Sequence, residues 1–272
     1  MVLETVRILF FGDIVGVPGC NVFQKYVKQL KDKYNTQIVI VNGENSASSG
    51  RGITPKQMAF FKHNHVDVVT SGNHIFQKKE ILSYLDEHND LLRPLNYPSM
   101  CPGKGLGVYH KDDITFGVVS ICGRVFLKEF FACPVKALES ALTYINSKTR
   151  IVFVDFHAEA TAEKKAFALY FDGKISAMIG THTHVQTADE QILPKETAFI
   201  TDAGMAGAYN SSIGMKPDAI IRTMITQMPS RFTVETRSPF ILSGVMVEVN
   251  VKTGKATKIE RFQVIDKEEV VN

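Results

Sequence analysis

Short, almost uninterrupted apolar runs recur along this chain and limit the folds open to it. Val6–Phe11, Ile38–Val41, Val66–Thr70, Thr115–Ile121, Ile151–Phe156, Ala177–Ile179 and Ala198–Thr201 are rich in β-branched and aromatic residues, with little polar alternation. Such runs suit strands that are covered on both faces. Between several of them the apolar spacing becomes helical. Val22, Tyr26, Val27 and Leu30 form one stripe of residues 19–33, and Val135, Leu138, Leu142 and Ile145 form another over 135–147. Thr54-Pro55, Cys133-Pro134 and Lys216-Pro217 each set a proline near a first helical turn, where its missing N–H breaks no bond. Alternating strand and helix predicts an α/β fold.

The last third reads differently. Arg231–Thr236, Phe240–Asn250 and Ala256–Ile265 predict three strands, the last two joined by a turn at Lys252-Thr253-Gly254-Lys255. An antiparallel meander is therefore expected beside the α/β body, accommodated on a second sheet packed against the first. No linker, low-complexity tract or repeat divides the chain, so residues 1–272 are expected to form a single domain.

Composition narrows the function classes. With 44% hydrophobic and 22% charged residues, the chain is neither disordered nor collagen-like. A net charge of +3, spread along the sequence, gives no signal for DNA or for a membrane surface. Cys20, Cys101, Cys122 and Cys133 form no CxxC pair or zinc-ribbon spacing and read as reduced thiols. No apolar run approaches the roughly 18 residues of a membrane span. Asp13 interrupts any leader-like start, and a cytoplasmic protein is expected.

The chemistry sits just past the ends of the strands. Gly12-Asp13 comes after the first run, Asn42-Gly43-Glu44-Asn45 after the second, Ser71-Gly72-Asn73-His74 after the third, His157-Ala158-Glu159 after the fifth and Gly180-Thr181-His182-Thr183-His184 after the sixth. Ligands of open α/β sheets bind at the carboxyl edge of the strands. These loops are thus expected to surround one crevice. Taken singly, Asp13, Asn45 and Asn73 also fit ordinary turns, and His157 fits a hydrogen-bonded core histidine. His182 and His184 alternate, which on an extended segment sets both imidazoles on one side. No HExxH is present, so a zincin is excluded. Carboxylates, amides and imidazoles without thiolate suit Mn, Fe or Zn. The donor count exceeds one catalytic zinc and matches two ions sharing a carboxylate.

The ordered series of Gly12-Asp13, Gly43-Glu44-Asn45, Gly72-Asn73-His74, His157 and Gly180-Thr181-His182-Thr183-His184 resembles the calcineurin-like metallophosphoesterase superfamily. The phrases NGEN, DFHAEAT, GTHTHVQTAD and ITDAGM are similar to its bacterial YmdB-like branch. The resemblance implies a four-layer αββα sandwich with two mixed sheets. It implies that Asp13, Glu44 and His184 hold one ion, and that Glu44, Asn73, His157 and His182 hold the other. Asn45 would ligate or orient. Two departures from the wider superfamily stand out: Glu44 replaces the usual bridging Asp, and Ile14-Val15 follow Asp13 where a further His often stands. One ion is therefore expected to have fewer protein ligands.

The resemblance further implies phosphodiesterase action, including on 2′,3′-cyclic nucleotides, and two Lewis-acid ions would supply a bridging hydroxide as nucleophile. His74, one residue beyond Asn73, is the candidate general acid for the leaving oxygen, the other reading being an imidazole that orients a neighbouring metal ligand. The expected cofactors are two divalent or trivalent ions, Fe or Mn foremost, with Zn or Mg compatible. The expected partner is a small phosphodiester or nucleotide, with self-association also open. The alternatives are a phosphomonoesterase acting on nucleotides or phosphoproteins, and a regulatory nucleotide- or metal-binding protein with little turnover. Lys104, in Pro102-Gly103-Lys104-Gly105, and Arg124, after Cys122-Gly123, are candidate phosphate contacts. Phe76 reads as a core aromatic, Lys78-Lys79-Glu80 as a solvated helix face, and Gly204-Met205-Ala206-Gly207 as the mouth of the site or a turn.

Overall fold

The structure, a computed structural model, describes residues 3–267. Strand β1 (Thr5–Phe11) already assigns two interiors by alternation: Leu9 and Phe11 face one apolar layer, and Val6, Ile8 and Phe10 face another. A two-residue β2 (Asp13–Ile14) leads into α1 (Gly16–Tyr34), which lays Phe23, Val27 and Leu30 on the first layer. Then come β3 (Ile38–Asn42), α2 (Pro55–His63), β4 (Val68–Thr70) and α3 (Ile81–Glu87). The middle of the chain forms β5 (Leu106–Lys111), β6 (Ile114–Cys122), α4 (Pro134–Asn146), β7 (Val152–His157), α5 (Thr161–Phe171), β8 (Ala177–Thr181), β9 (Gln191–Ile192) and β10 (Ala198–Ile200). It closes with β11 (Met205–Ala208), α6 (Pro217–Thr226), β12 (Phe240–Asn250) and β13 (Ala256–Asp266). All three predicted Pro starts open helices.

Seven strands form one sheet in the order β2-β11-β12-β1-β3-β4, with β13 on the far side of β12. Six form the other, β5-β6-β7-β8-β10-β9. Both are mixed: parallel β1-β3-β4 borders antiparallel β12, and parallel β6-β7-β8-β10 carries antiparallel edges. Between the sheets, Ile8, Phe10 and Val247 meet Phe116, Val118 and Phe153, with the Phe10 and Phe153 rings 5.3 Å apart. Phe23, Phe61 and Leu85 of α1–α3 cover the first sheet outside; Leu142, Phe167 and Phe171 of α4 and α5 cover the second. This is the expected αββα sandwich. Each large side chain buried in it contributes about 1.5–3 kcal/mol, so the three apolar layers, and not the loops, hold the strand ends in place.

Two expectations for the last third are corrected. Arg231–Thr236 is not a strand; only Val234 makes a bridge, to Met215. The edges of β12 are already taken by β1 and β11 on one side and β13 on the other, so no ladder is left for it. Nor does the terminal hairpin occupy the second sheet. It joins the first, with β12 pairing β1 from Thr5↔Asn250 to Phe11↔Gly244. Strand β12 is apolar on both faces along most of its length, and only a position between layers satisfies that pattern.

Candidate metal centre

Strands β1, β3, β4, β7 and β8 deliver their following loops to one place. Asp13, Glu44, Asn45 and His157 are buried there, while Asn73, His74, His182 and His184 are half-buried. Gly72 makes the convergence sterically feasible: a Cβ at that position would lie 2.3 Å from His157 Cδ2 and 2.4 Å from Glu44 Oε2. His182 and His184 do not alternate along an extended segment as expected. Strand β8 ends at Thr181, and the two histidines take positive φ values of 102° and 66°. Non-glycine residues held this way are strained, and such strain persists where surrounding contacts enforce it.

That backbone sends the two imidazoles to different partners. His182 Nδ1 lies 3.0 Å from His157 Nε2, which in turn lies 3.2 Å from Glu44 Oε1 and 3.3 Å from Asn73 Oδ1. His184 Nε2 instead lies 3.7 Å from Asp13 Oδ1. Its Nδ1 donates to the Ile213 carbonyl at 2.9 Å, which leaves the Nε2 lone pair facing Asn45 Nδ2 at 3.2 Å beside Asp13. Backbone N–H groups brace both carboxylates, His74 N to Glu44 Oε2 and His182 N to Asp13 Oδ2, each at 3.1 Å.

Asn45 couples the two groups. Its Nδ2 donates to Asp13 Oδ1 at 3.3 Å and Glu44 Oε1 at 3.2 Å, and its Oδ1 accepts from His74 Nδ1 at 2.7 Å. An amide nitrogen is not a metal donor, and it is this nitrogen that faces the two carboxylates. Charge follows the same layout. Burial works against ionised Glu44, but His157 and His74 outweigh it and hold the carboxyl well below the usual range. Burial likewise opposes ionised Asp13, and His184 and His157 outweigh it. Burial and His157 together push His182 down to about 3.

A further ring of residues, missed in the sequence, holds these side chains. Thr181 Oγ1 bonds His157 Nδ1 at 2.9 Å and donates to Asp155 Oδ1 at 2.6 Å. Asp155 also accepts from Thr70 Oγ1 at 2.5 Å and Asn42 Nδ2 at 2.9 Å. Behind the histidine loop, buried Lys164 donates to Asp202 Oδ2 and the Thr181 carbonyl, both at 2.8 Å. Glu159 Oε2 lies 3.0 Å from His182 Nε2 and Glu129 Oε1 accepts from Asn73 Nδ2 at 3.3 Å. The signal for Asp155 was its lone charge inside the apolar run Ile151–Phe156. Asn42, Glu159 and Thr181 lie within the strand-end motifs, whereas Thr70, Glu129, Lys164 and Asp202 carry no local sign.

The crevice above the donors, about 320 Å³, is lined by His74, Arg51, Ile213, Met215, Ile220 and Phe232 among others. Neither candidate phosphate contact lines it. Lys104 Nζ donates to Asn89 Oδ1 at 2.7 Å in a separate cavity with Arg93, Tyr109 and Tyr144. Arg124 is exposed on the loop after β6, its backbone N bonded to Glu163 Oε1. Phe76 packs on Tyr97 against the core, as expected. Gly204, at φ 81°, turns the chain into β11, whose buried residues pair with β2 and do not border the crevice.

The donors fit a metal. One ligand atom each from Asp13, Glu44 and His157 lies within 4.8 Å of the others, all three residues being buried. Two buried carboxylates packed against imidazole nitrogens call for positive charge between them, and oxygen with nitrogen donors suits first-row divalent ions. A two-sheet sandwich with this donor series at its strand ends defines a metallophosphoesterase. A match to the family described as YmdB-like protein spans residues 9–262, and the chain belongs to that family. It is 44% identical over 260 residues to the 2′,3′-cyclic-nucleotide 2′-phosphodiesterase of Bacillus subtilis (strain 168), covering 96% of this chain and 97% of the relative. Among solved structures it is similar to a phosphatase of Mycoplasma pneumoniae, with TM-score 0.91 and 34% identity over 98% of this chain and 96% of the other. A hypothetical protein from Thermus thermophilus matches with TM-score 0.88 and 34% identity, over 96% of this chain and all of that one (100%). No helix among the described residues is long and apolar enough to cross a membrane.

Proposed function

We propose that the chain is a metal-dependent phosphodiesterase that opens 2′,3′-cyclic nucleotides and related diesters, holding two ions with Glu44 shared between them. The observation that carries this reading is the convergence of Asp13, Glu44 and His157 donors within 4.8 Å at the base of an open crevice. Asn73, His157 and His182 would complete one ion's set beside Glu44, and Asp13 and His184 the other's. When bound, the metal supplies the Lewis acidity that phosphoryl transfer to water requires. Fe or Mn suits the O/N donors, and four free cysteines support a reducing, cytoplasmic setting.

The chain's own groups do the rest. His74 is held by Asn45 Oδ1 through Nδ1 and sits 3.4 Å from Glu44 Oε1. Its Nε2 is left to give a proton to the departing oxygen. Ile220 and Phe232 narrow the crevice with apolar surface, which limits water to the reacting centre.

The test is hydrolysis of 2′,3′-cyclic AMP by metal-loaded and chelator-stripped protein. Turnover should vanish on stripping and return on reloading; full turnover by the stripped protein would overturn the reading. The similarity to the Mycoplasma pneumoniae phosphatase keeps monoester cleavage in view. Parallel kcat/KM values on nitrophenyl phosphate and its bis-ester separate the two, the bis-ester being expected to win.

A further inference from the structure

Beside the metal crevice lies a second cavity of about 380 Å³, and the two share Arg51, Met215 and Phe232 in their walls. Arg51, Lys78 and Arg231 converge on the second cavity, with Ser49 and Ser230 between them. No carboxylate lines it, and none of the three cations has an ion pair or side-chain hydrogen bond among the described residues. Lys78 was expected on a solvated helix face. It instead ends the short 3-10 turn Ile75–Gln77, ahead of α3, and its stem packs near Gly52. Arg237, by contrast, pairs with Glu235 at 2.6 Å.

Three uncompensated cations around one concavity focus a positive potential, and an anion relieves their mutual repulsion. Guanidinium forks and hydroxyls are the donors that phosphate oxygens take. Phe232 borders both cavities and offers a ring face where a base can stack. We infer that this cavity holds the second phosphate of an oligoribonucleotide whose terminal 2′,3′-cyclic phosphate occupies the metal crevice. The inference rests on the phosphodiesterase reading and adds a preference for RNA ends over free cyclic mononucleotides.

The test compares a 2′,3′-cyclic mononucleotide with a dinucleotide ending in the same cyclic phosphate, for wild type and for Lys78→Ala, Arg231→Ala and the double variant. Both side chains are solvent-reaching, so the fold should tolerate their loss. The dinucleotide should lead by roughly ten-fold in kcat/KM, about the worth of one charge-assisted hydrogen bond, and more at low salt. The double variant should erase that lead and leave mononucleotide turnover unchanged. Equal kcat/KM for the two substrates in wild type, or equal losses on both in the variants, would overturn the inference while leaving the phosphodiesterase reading intact. Should neither substrate turn over, that reading fails instead, and binding of a fluorescein-labelled tri-ribonucleotide 3′-phosphate decides the cavity. Roughly ten-fold weaker binding by the double variant supports it, and unchanged binding overturns it.

Discussion

His182 Nδ1 and His157 Nε2 face each other at 3.0 Å across the ends of two adjacent parallel strands. Ring nitrogens approach this closely when one carries a proton or when both direct lone pairs at a cation. Burial opposes a charge on His157, yet Glu44, Asp13 and Asp155 outweigh it and raise its pKa to about 9, while burial and His157 push His182 down to about 3. Between the two rings, the carboxylates favour the proton on His157. A bound ion would take that proton's place.

Replacing His157 by Ala should therefore weaken metal binding by more than the roughly 10–100-fold typical of outer-shell changes. Chelator competition followed by elemental analysis reads this directly. Metal content equal to wild type would remove His157 from the ligand set.

Thr181 sets which nitrogen of His157 faces the cluster of donors. Its one hydroxyl proton goes to Asp155, at 2.6 Å, so the hydroxyl accepts from His157 Nδ1–H and leaves Nε2 for coordination. Thr181→Val keeps the shape and removes that acceptor. Metal affinity should fall about 10–100-fold, and thermal stability should drop by about 1–3 kcal/mol for the buried donor left unpaired. A melting shift with unchanged affinity would mean that the hydroxyl only packs.

His74 is separable from the ligands by leaving group. If it protonates the departing oxygen, His74→Ala should cost about 10²–10⁴ in kcat with an alkoxide leaving group such as a ribose hydroxyl. A nitrophenolate needs little protonation and should lose far less. Equal losses on both substrates would assign His74 to positioning through Asn45 alone.

Lys164 carries a charge into the core behind the histidine loop, where Asp202 also accepts from Thr183 N at 3.0 Å and Gly204 N at 2.9 Å. Lys164→Met leaves the Asp202 charge buried alone, which typically costs about 3–5 kcal/mol. The melting temperature should fall on the order of 10 °C. Because the same pair fixes the backbone between His182 and Gly204, metal affinity should fall with it. A variant that melts as wild type does would show that the pair contributes little.

Much of this molecule was legible along the chain because its signals are local. Continuous apolar runs mark strands that need cover on both faces, prolines mark helix starts, and polar residues just past those runs mark the carboxyl edge where Asp13, Glu44, Asn73, His74, His157, His182 and His184 gather. Other features depend on partners distant in sequence. Strand β12 entered the first sheet, and Arg231–Thr236 stayed outside, because ladder edges are allotted by the assembled layers. The positive φ of His182 and His184, the turn of Asn45 toward His74 and the withdrawal of Lys104 to Asn89 were likewise decided by packing. So was the meeting of Lys78 with Arg231 on one cavity. A sequence states which side chains want burial or a charge partner; which partner each obtains is settled only when two sheets close on a common interior and bring remote strand ends within hydrogen-bond reach.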